Sequence, residues 1–251
     1  MPMQINFDTS GNPEIPIISI VSQNGDHIGI ISNYTGLKIQ DNLKTPSSIS
    51  FTLHKILNGD EYKYWDEVKN FRLIYVPDWD KYFVMKITVN EDNEIQKQIE
   101  TTALQETELG QLLLHNVELN TETDIARNDY VRTVFYNPGE SKGSLLHRLI
   151  KDKASNYTIL HVDDSLKNIQ RSFSFDDTSI YDAFQSVAEE INCLFVFGER
   201  SENDDTTSIP RTISVYDLES NCKDCGYRGE FMDQCPKCGS TNIKEGSGED
   251  D

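Results

Sequence analysis

The chain has little positive charge. It carries 23 Lys and Arg residues against 42 Asp and Glu residues, a formal net charge of −19 over 251 residues. Such a surface repels a phosphate backbone, and no basic patch interrupts it. The charge balance therefore predicts no sequence-specific nucleic-acid partner and little non-specific association.

Long apolar runs are missing as well. No stretch approaches the roughly 20 apolar residues that a membrane-spanning helix needs, and the N-terminus lacks a basic segment followed by an apolar one. We therefore expect no membrane span and synthesis in the cytoplasm without a standard export signal.

Catalytic patterns are few in the sequence. It contains no H-E-x-x-H and no glycine-rich phosphate loop. The G-x-S-x-G spacing occurs once, at residues 139–143, and the S-x-x-K spacing occurs once, at residues 220–223, without the S-D-N and K-T-G motifs that accompany it in serine acyl enzymes. A match this short does not by itself identify a catalytic serine. The carboxylates are dispersed, and the histidines are scattered: His27, His54, His115, His147 and His161. His161 and Asp163 could form a metal or acid–base pair, but isolated His-x-Asp spacings are common by chance. Cys193 lies in an apolar segment, which predicts a buried, inert thiol. We expect no catalytic residue and no enzymatic activity in this chain.

The strongest local signals lie between Arg171 and Phe197. Phe173 and Phe175 alternate with serines, which predicts a strand. Ser179, with Asp182 three residues later, predicts the start of an amphipathic helix that Asn192 would end. Cys193 begins an apolar segment that reads as a buried strand.

The order of the patterns predicts an α+β, β-rich fold. Short alternating segments separated by turns predict a small β-barrel tube domain over residues 1–103. A change to helical spacing at Leu104–Leu114 opens a mixed α+β domain over residues 104–220. A ribbon over 221–242 and a tail over 243–251 would follow, and we expect the parent chain to continue.

Two C-x2-C pairs are the strongest chemical motif. Cys222 and Cys225 precede Cys235 and Cys238 with nine residues between the pairs. Four thiolates in two knuckles predict structural Zn(II), because a full set of four cysteines leaves no open coordination position. Rubredoxin-like iron, two disulfides and four free thiols are the alternatives. The ribbon has few apolar residues, so we expect metal removal to unfold residues 221–242 and leave the barrels intact.

Charges near the ribbon are balanced and give nucleic acid no support. The residues concerned are Lys223, Arg228 and Lys237 against Asp224, Glu230 and Asp233.

Several segments, in order, resemble the N-terminal part of phage tail-hub proteins from Gram-positive hosts, the group that includes tail-associated lysins and prophage endopeptidase tail proteins. These segments are Thr45–Lys55, Trp65–Val76, Asp124–Pro138, Ser144–Ala154 and His161–Phe175, followed by the helix and the ribbon. The resemblance implies a homotrimeric hub whose tube-like barrels form a ring, with a cysteine-rich insertion in a later domain.

The resemblance also implies partners and a location. They are the distal tail protein, tail-tube and tape-measure components, and a downstream fibre or lytic module, at the tail tip of a virion made in the bacterial cytoplasm. Our hypothesis is a structural hub. The alternatives are a tail-associated cell-wall hydrolase whose catalytic domain lies outside this chain and a cytoplasmic zinc-ribbon adaptor that binds protein.

Overall fold

The computed structural model describes residues 3, 7–11, 14–42, 45–88, 95–115, 117–119, 134–138, 144–201, 208–225, 227–229 and 234–244. The chain forms two compact units. The first contains residues 1–108 and 200–210, and the second contains residues 109–199 and 211–251. Strands outnumber helices in these ranges, and the predicted α+β, β-rich class is confirmed. None of the described helices combines the length and apolar character needed to cross a membrane.

The first unit is built on one antiparallel sheet. Its strands are β1 Ser19–Val21, β2 His27–Ile30, β3 Tyr34–Asn42, β4 Thr45–His54, β7 Leu73–Val76, β8 Lys81–Thr88 and β9 Gln96–Ala103. They are ordered β2-β1-β7-β8-β9-β4-β3. The unit also contains a small hairpin, two 3₁₀ turns and the start of a helix: β5 Ile56–Leu57, β6 Asp60–Glu61, the turns Trp65–Glu67 and Pro77–Trp79, and α1 Leu104–Gly110.

Strand β4 shows why this sheet forms. Its side chains alternate between partly exposed and buried positions, and Ile49, Phe51 and Leu53 all enter the core. Thr101 of β9 fixes the register, since its hydroxyl donates to the Ile49 carbonyl and accepts from the Ile49 N–H. Within the described residues no pairing joins β2 to β3. Closure of the sheet into a barrel therefore stays a prediction.

The first unit also includes a segment that returns to it from far along the chain. Arg200 donates to the Asp80 carboxylate at 3.1 Å and to the Tyr82 hydroxyl at 3.0 Å. Ten residues later, the Pro210 carbonyl accepts from the Gln105 amide at 2.9 Å. The polar composition of residues 199–208 predicts a hairpin tip of the second domain, and most of that tip, residues 202–207, lies outside the described residues.

The second unit combines a three-stranded sheet with helices and small β-pairs. Its elements are β10 Leu113–Leu114, β11 Val117–Leu119, α2 Leu145–Ile150, β12 Thr158–Val162, α3 Asp164–Lys167, β13 Phe173–Phe175, β14 Thr178–Ser179, α4 Ile180–Ile191, β15 Cys193–Phe197, β16 Thr212–Asp217, β17 Ser220–Cys222, β18 Arg228–Gly229 and β19 Ile243–Lys244. β16 lies between β12 and β15, parallel to the first and antiparallel to the second. Residues 124–133, part of one segment that resembles the tail-hub proteins, lie outside the described residues.

Helix α4 forms where local signals predict it. The Ser179 hydroxyl accepts from the Asp182 N–H at 3.0 Å, which satisfies one free donor at the helix start. Asn192 adopts the left-handed conformation that ends the helix, with φ of 56°. On the buried face, the Phe184 ring lies 4.8 Å from that of Phe195 on β15.

Helix α1 is shorter than predicted. The helical spacing over Leu104–Leu114 holds only as far as Gly110, and the prediction is wrong beyond it. Leu113 and Leu114 instead form β10 and pair with β14. The reason is tertiary: a strand partner distant in sequence satisfies these backbone groups where local periodicity would have continued the helix.

We predict that Ser179→Ala lowers the free energy of unfolding of the second unit by about 1 kcal/mol, because it removes the side-chain acceptor at the start of α4. Ser186→Ala is the matched control: Ser186 is an exposed serine in the interior of the same helix, and its loss should change stability by less than about 0.5 kcal/mol. Urea unfolding followed by far-UV circular dichroism measures both. Equal effects of the two substitutions would contradict the capping role.

Candidate metal centre

The structure brings the four predicted cysteines together. One sulfur each from Cys222, Cys225, Cys235 and Cys238 forms a cluster in which all four lie within 4.8 Å of one another. The Sγ atoms of Cys222 and Cys238 are 3.5 Å apart, and those of Cys225 and Cys235 are 3.6 Å apart. A tetrahedral ion bound at about 2.3 Å holds its sulfurs about 3.8 Å from one another. The cluster is compatible with a metal site.

The same distances decide against disulfides. A disulfide joins its sulfurs at about 2.05 Å, whereas the ribbon thiols are all free in the structure. Both of these separations run from one knuckle to the other. Each knuckle therefore places two sulfurs in one shared cluster.

Backbone hydrogen bonds shape both knuckles in the same way. The Cys222 N–H donates to the Tyr227 carbonyl, and the Cys235 N–H donates to the Ser240 carbonyl, each at 2.8 Å. Gly239 closes the second knuckle with φ of +71°, a conformation that favours glycine. Gly226 holds the matching position after the first knuckle and lies outside the described residues.

Side-chain hydrogen bonds also connect the two knuckles, in addition to the contacts between their sulfurs. The Asp224 carboxylate accepts from the Ser240 hydroxyl at 2.5 Å and from the Asn242 amide at 2.8 Å. These bonds hold the pKa of Asp224 below its usual value. Asp224 lies in the first knuckle and its two donors follow the second, so these bonds fix the mutual orientation of the cysteine pairs.

The thiols hold their protons unequally. Burial acts to raise the pKa of Cys222, but the N–H groups of Cys225 and Asp224 outweigh it and lower the pKa to about 7. For Cys238 the Ser240 N–H acts in the lowering direction, and bonds with the neighbouring thiols raise the pKa to about 12. The Cys222 thiolate therefore forms more readily than the Cys238 thiolate.

In the structure the ribbon sheet, ordered β18-β17-β19, extends past residue 242 to Lys244. Two basic side chains join this ribbon to the rest of the second unit. Arg228 of β18 donates through Nε to the Asp217 carboxylate at 2.8 Å. Lys244 of β19 lies 2.6 Å from the Asp163 carboxylate. Sequence reasoning misses both contacts and treats Arg228 as one of several balanced surface charges. No local signal could have revealed them, because the partners are 11 and 81 residues apart.

His161 and Asp163 do meet, at 3.2 Å between Nε2 and Oδ1. The same carboxylate is held by Lys244 and by the Asp217 N–H. His161 stacks on the Tyr216 ring at 5.1 Å. These contacts explain the proximity of His161 and Asp163 by packing and hydrogen bonding within the second unit.

Cys193, the fifth cysteine, is buried in β15. Its burial raises the pKa of the thiol to about 12, in keeping with the inert thiol that the sequence predicts.

A second cluster is not singled out by the sequence. His115, Asp176 and Asp177 place one ligand atom each within 4.8 Å of one another, and the His115 Nδ1 lies 2.6 Å from the Asp177 carboxylate. The pairing of β10 with β14 brings them together. All three are exposed, and exposed acidic groups often cluster without binding an ion.

Solved structures of two phage tail proteins are similar to this chain. Prophage tail protein gp18 from Listeria monocytogenes EGD-e has a TM-score of 0.49 and 11% identity, and the match covers 80% of this chain and 50% of that protein. The 43 kDa tail protein of prophage MuSo2 from Shewanella oneidensis has a TM-score of 0.45 and 9% identity, with 84% and 55% covered. The chain thus spans about half the length of both proteins. No family model and no curated protein matches it. At these TM-scores the likeness alone assigns no function.

We predict that the chain binds one divalent ion through the four ribbon thiols. Titration with Co²⁺ should give thiolate charge-transfer absorption that saturates at one ion per chain. Cys235→Ser should weaken binding by more than about tenfold, since even changes outside the ligand shell have effects of that size. Cys193→Ala is the control and should leave the titration unchanged. Equal weakening by both substitutions would contradict the assignment of the ligands.

Proposed function

We propose that this chain is a structural protein of a phage tail, a hub at the tail tip or baseplate. The observation that carries the proposal is the ordered resemblance to tail-hub proteins. Parts of three of its segments fall on elements that enter the core: Thr45–Lys55 includes β4, Trp65–Val76 includes β7, and Ser144–Ala154 includes α2. A resemblance confined to exposed loops would give much weaker support.

In this proposal the chain forms a homotrimer that continues or closes the tail tube. The distal tail protein, the tube and the tape measure would lie on one side, and a fibre or lytic module on the other. The net charge of −19 suits such a role, because an acidic lumen would let DNA pass without adhering. The site of action would be the virion tail tip, with no sequence-specific nucleic-acid contact.

The ribbon would hold Zn(II) in a structural site. Four cysteine sulfurs form a soft ligand set, and a tetrahedral Cys₄ shell leaves no position for a substrate. Bound zinc would supply cross-linking, since the described ribbon has few apolar side chains in its core other than the cysteines themselves. Iron in the same shell is the competing assignment, and metal analysis of the purified chain distinguishes the two.

A structural role also agrees with the contacts that the described histidines make. His54 bonds the Thr35 hydroxyl at 2.9 Å, and His147 stacks on Tyr136 at 5.3 Å. These contacts join neighbouring elements of one unit and assemble no nucleophile–base pair. The hydrolase alternative places its catalytic domain outside this chain.

We predict that antibodies against this chain label the tail tip of particles of the phage that encodes it. We further predict that light scattering gives a mass of three times 28.7 kDa for the assembled hub. Labelling elsewhere or not at all would contradict the tail-tip role. Peptidoglycan hydrolysis by the purified chain would favour the hydrolase alternative. A monomer found in the host cytoplasm and absent from particles would favour the adaptor.

A further inference from the structure

Two carboxylates are buried side by side in the second unit. The side chains of Asp217 and Asp163 are 1% and 6% exposed. The Asp217 N–H donates to the Asp163 carboxylate at 2.9 Å, and the Ser165 hydroxyl donates to the Asp217 carboxylate at 2.5 Å. These neutral donors satisfy oxygen atoms but leave two negative charges in a poorly solvated site. Each charge therefore needs a cation nearby.

The ribbon supplies a close cation to each carboxylate. The Arg228 guanidinium contacts Asp217 through Nε and Nη2, at 2.8 and 2.7 Å, and is itself only 18% exposed. Lys244 contacts Asp163 at 2.6 Å. The two cations come from β18 and β19, the outer strands on either side of β17. Both ion pairs therefore depend on the folded ribbon.

Arg228 also completes the C-terminal end of α4. Its Nη2 donates to the Ile191 carbonyl at 2.5 Å and to the Asn192 carbonyl at 3.0 Å. The last carbonyls of a helix have no donor within the helix, and a cation there also opposes the helix dipole. One ribbon side chain therefore stabilises both a buried carboxylate and the end of the main helix.

We propose that the ribbon is a metal-dependent latch for the second unit: ion occupancy at the four cysteines controls whether Arg228 and Lys244 reach the buried carboxylates and the end of α4. Without the ion, the described part of the ribbon has few buried apolar side chains besides its cysteines to hold the outer strands. The cations then leave, so the two buried carboxylates lose their charged partners and the end of α4 loses the Arg228 guanidinium. The inference depends on metal binding by the cysteine cluster and is independent of the tail role.

This latch extends the expectation drawn from the sequence. Metal removal should destabilise α4 and β16 in addition to residues 221–242, while the first unit keeps its stability. The chain offers a built-in reporter for that unit, because its two tryptophans, Trp65 and Trp79, both lie there. Tryptophan emission therefore follows the first unit, and amide hydrogen exchange of α4 follows the second.

The test uses the full chain with and without Zn²⁺, with metal content measured on every sample. Removing the ion should speed exchange of the α4 amides at least about tenfold, because a buried carboxylate without its cation is strongly destabilising. The urea midpoint of tryptophan emission should not move. Slow α4 exchange in a chain shown to be free of metal would overturn the latch. A chain that binds no metal at all would instead overturn the metal site, and the latch with it.

Single substitutions distinguish the effect of the Arg228 contacts from the effect of unfolding the ribbon. Arg228→Met should speed α4 exchange at least about tenfold even when the ribbon still holds its ion. Lys237→Met, at an exposed lysine of the same ribbon, is the matched control and should match the wild type. Equal exchange in Arg228→Met and Lys237→Met, both metal-loaded, would overturn the proposal.

A double variant removes the need for the cations. In Asp163→Asn/Asp217→Asn, the buried charges are gone, so metal removal should change α4 exchange much less than in the wild type. An undiminished response would show that the ribbon acts on α4 by another route and would overturn the charge-based latch. A far-UV circular dichroism spectrum equal to that of the wild type confirms that this variant is folded.

Discussion

The ion pair between Arg228 and Asp217 is the contact on which the proposed latch of the second unit depends. Asp217 ends the central strand of its sheet, and its carboxylate is almost fully buried. Burying a charge is costly unless an opposite charge and hydrogen bonds surround it. Arg228 meets both needs with a planar group that contacts the carboxylate and still reaches the end of α4. In the proposed latch, the knuckles position this one side chain.

In the first unit, too, positively charged side chains bind buried or partly buried acceptors. Arg200 binds Asp80 and Tyr82, and Lys97 donates to two backbone carbonyls at 2.8 Å beside the Trp65 ring. An acidic chain thus places several of its few positive side chains where they satisfy buried or partly buried acceptors. This arrangement explains how a strong excess of carboxylates coexists with ordered interiors, and it leaves the surface negative.

Local signals predict the parts of the fold that local interactions determine. The start of α4 at Ser179, its end at Asn192 and the pairing of cysteines into knuckles all depend on residues a few positions apart. Leu113 and Leu114 lie in a segment with helical spacing and yet form a strand, because they pair with β14, which is distant in sequence. The contact between Asp163 and Asp217 could not be predicted for the same reason. The order of the strands brings these two residues together, and no spacing in the sequence indicates that they meet.

The return of residues 200–210 to the first unit has a consequence for how the protein can be made or divided. The chain leaves this unit near residue 108 and supplies its last piece only after most of the second unit has been translated. A fragment truncated near residue 108 would lack Arg200 and leave Asp80 and Tyr82 without that partner. On the ribosome the N-terminal sheet can begin to form early, but it reaches its complete structure only when far more of the polypeptide has emerged.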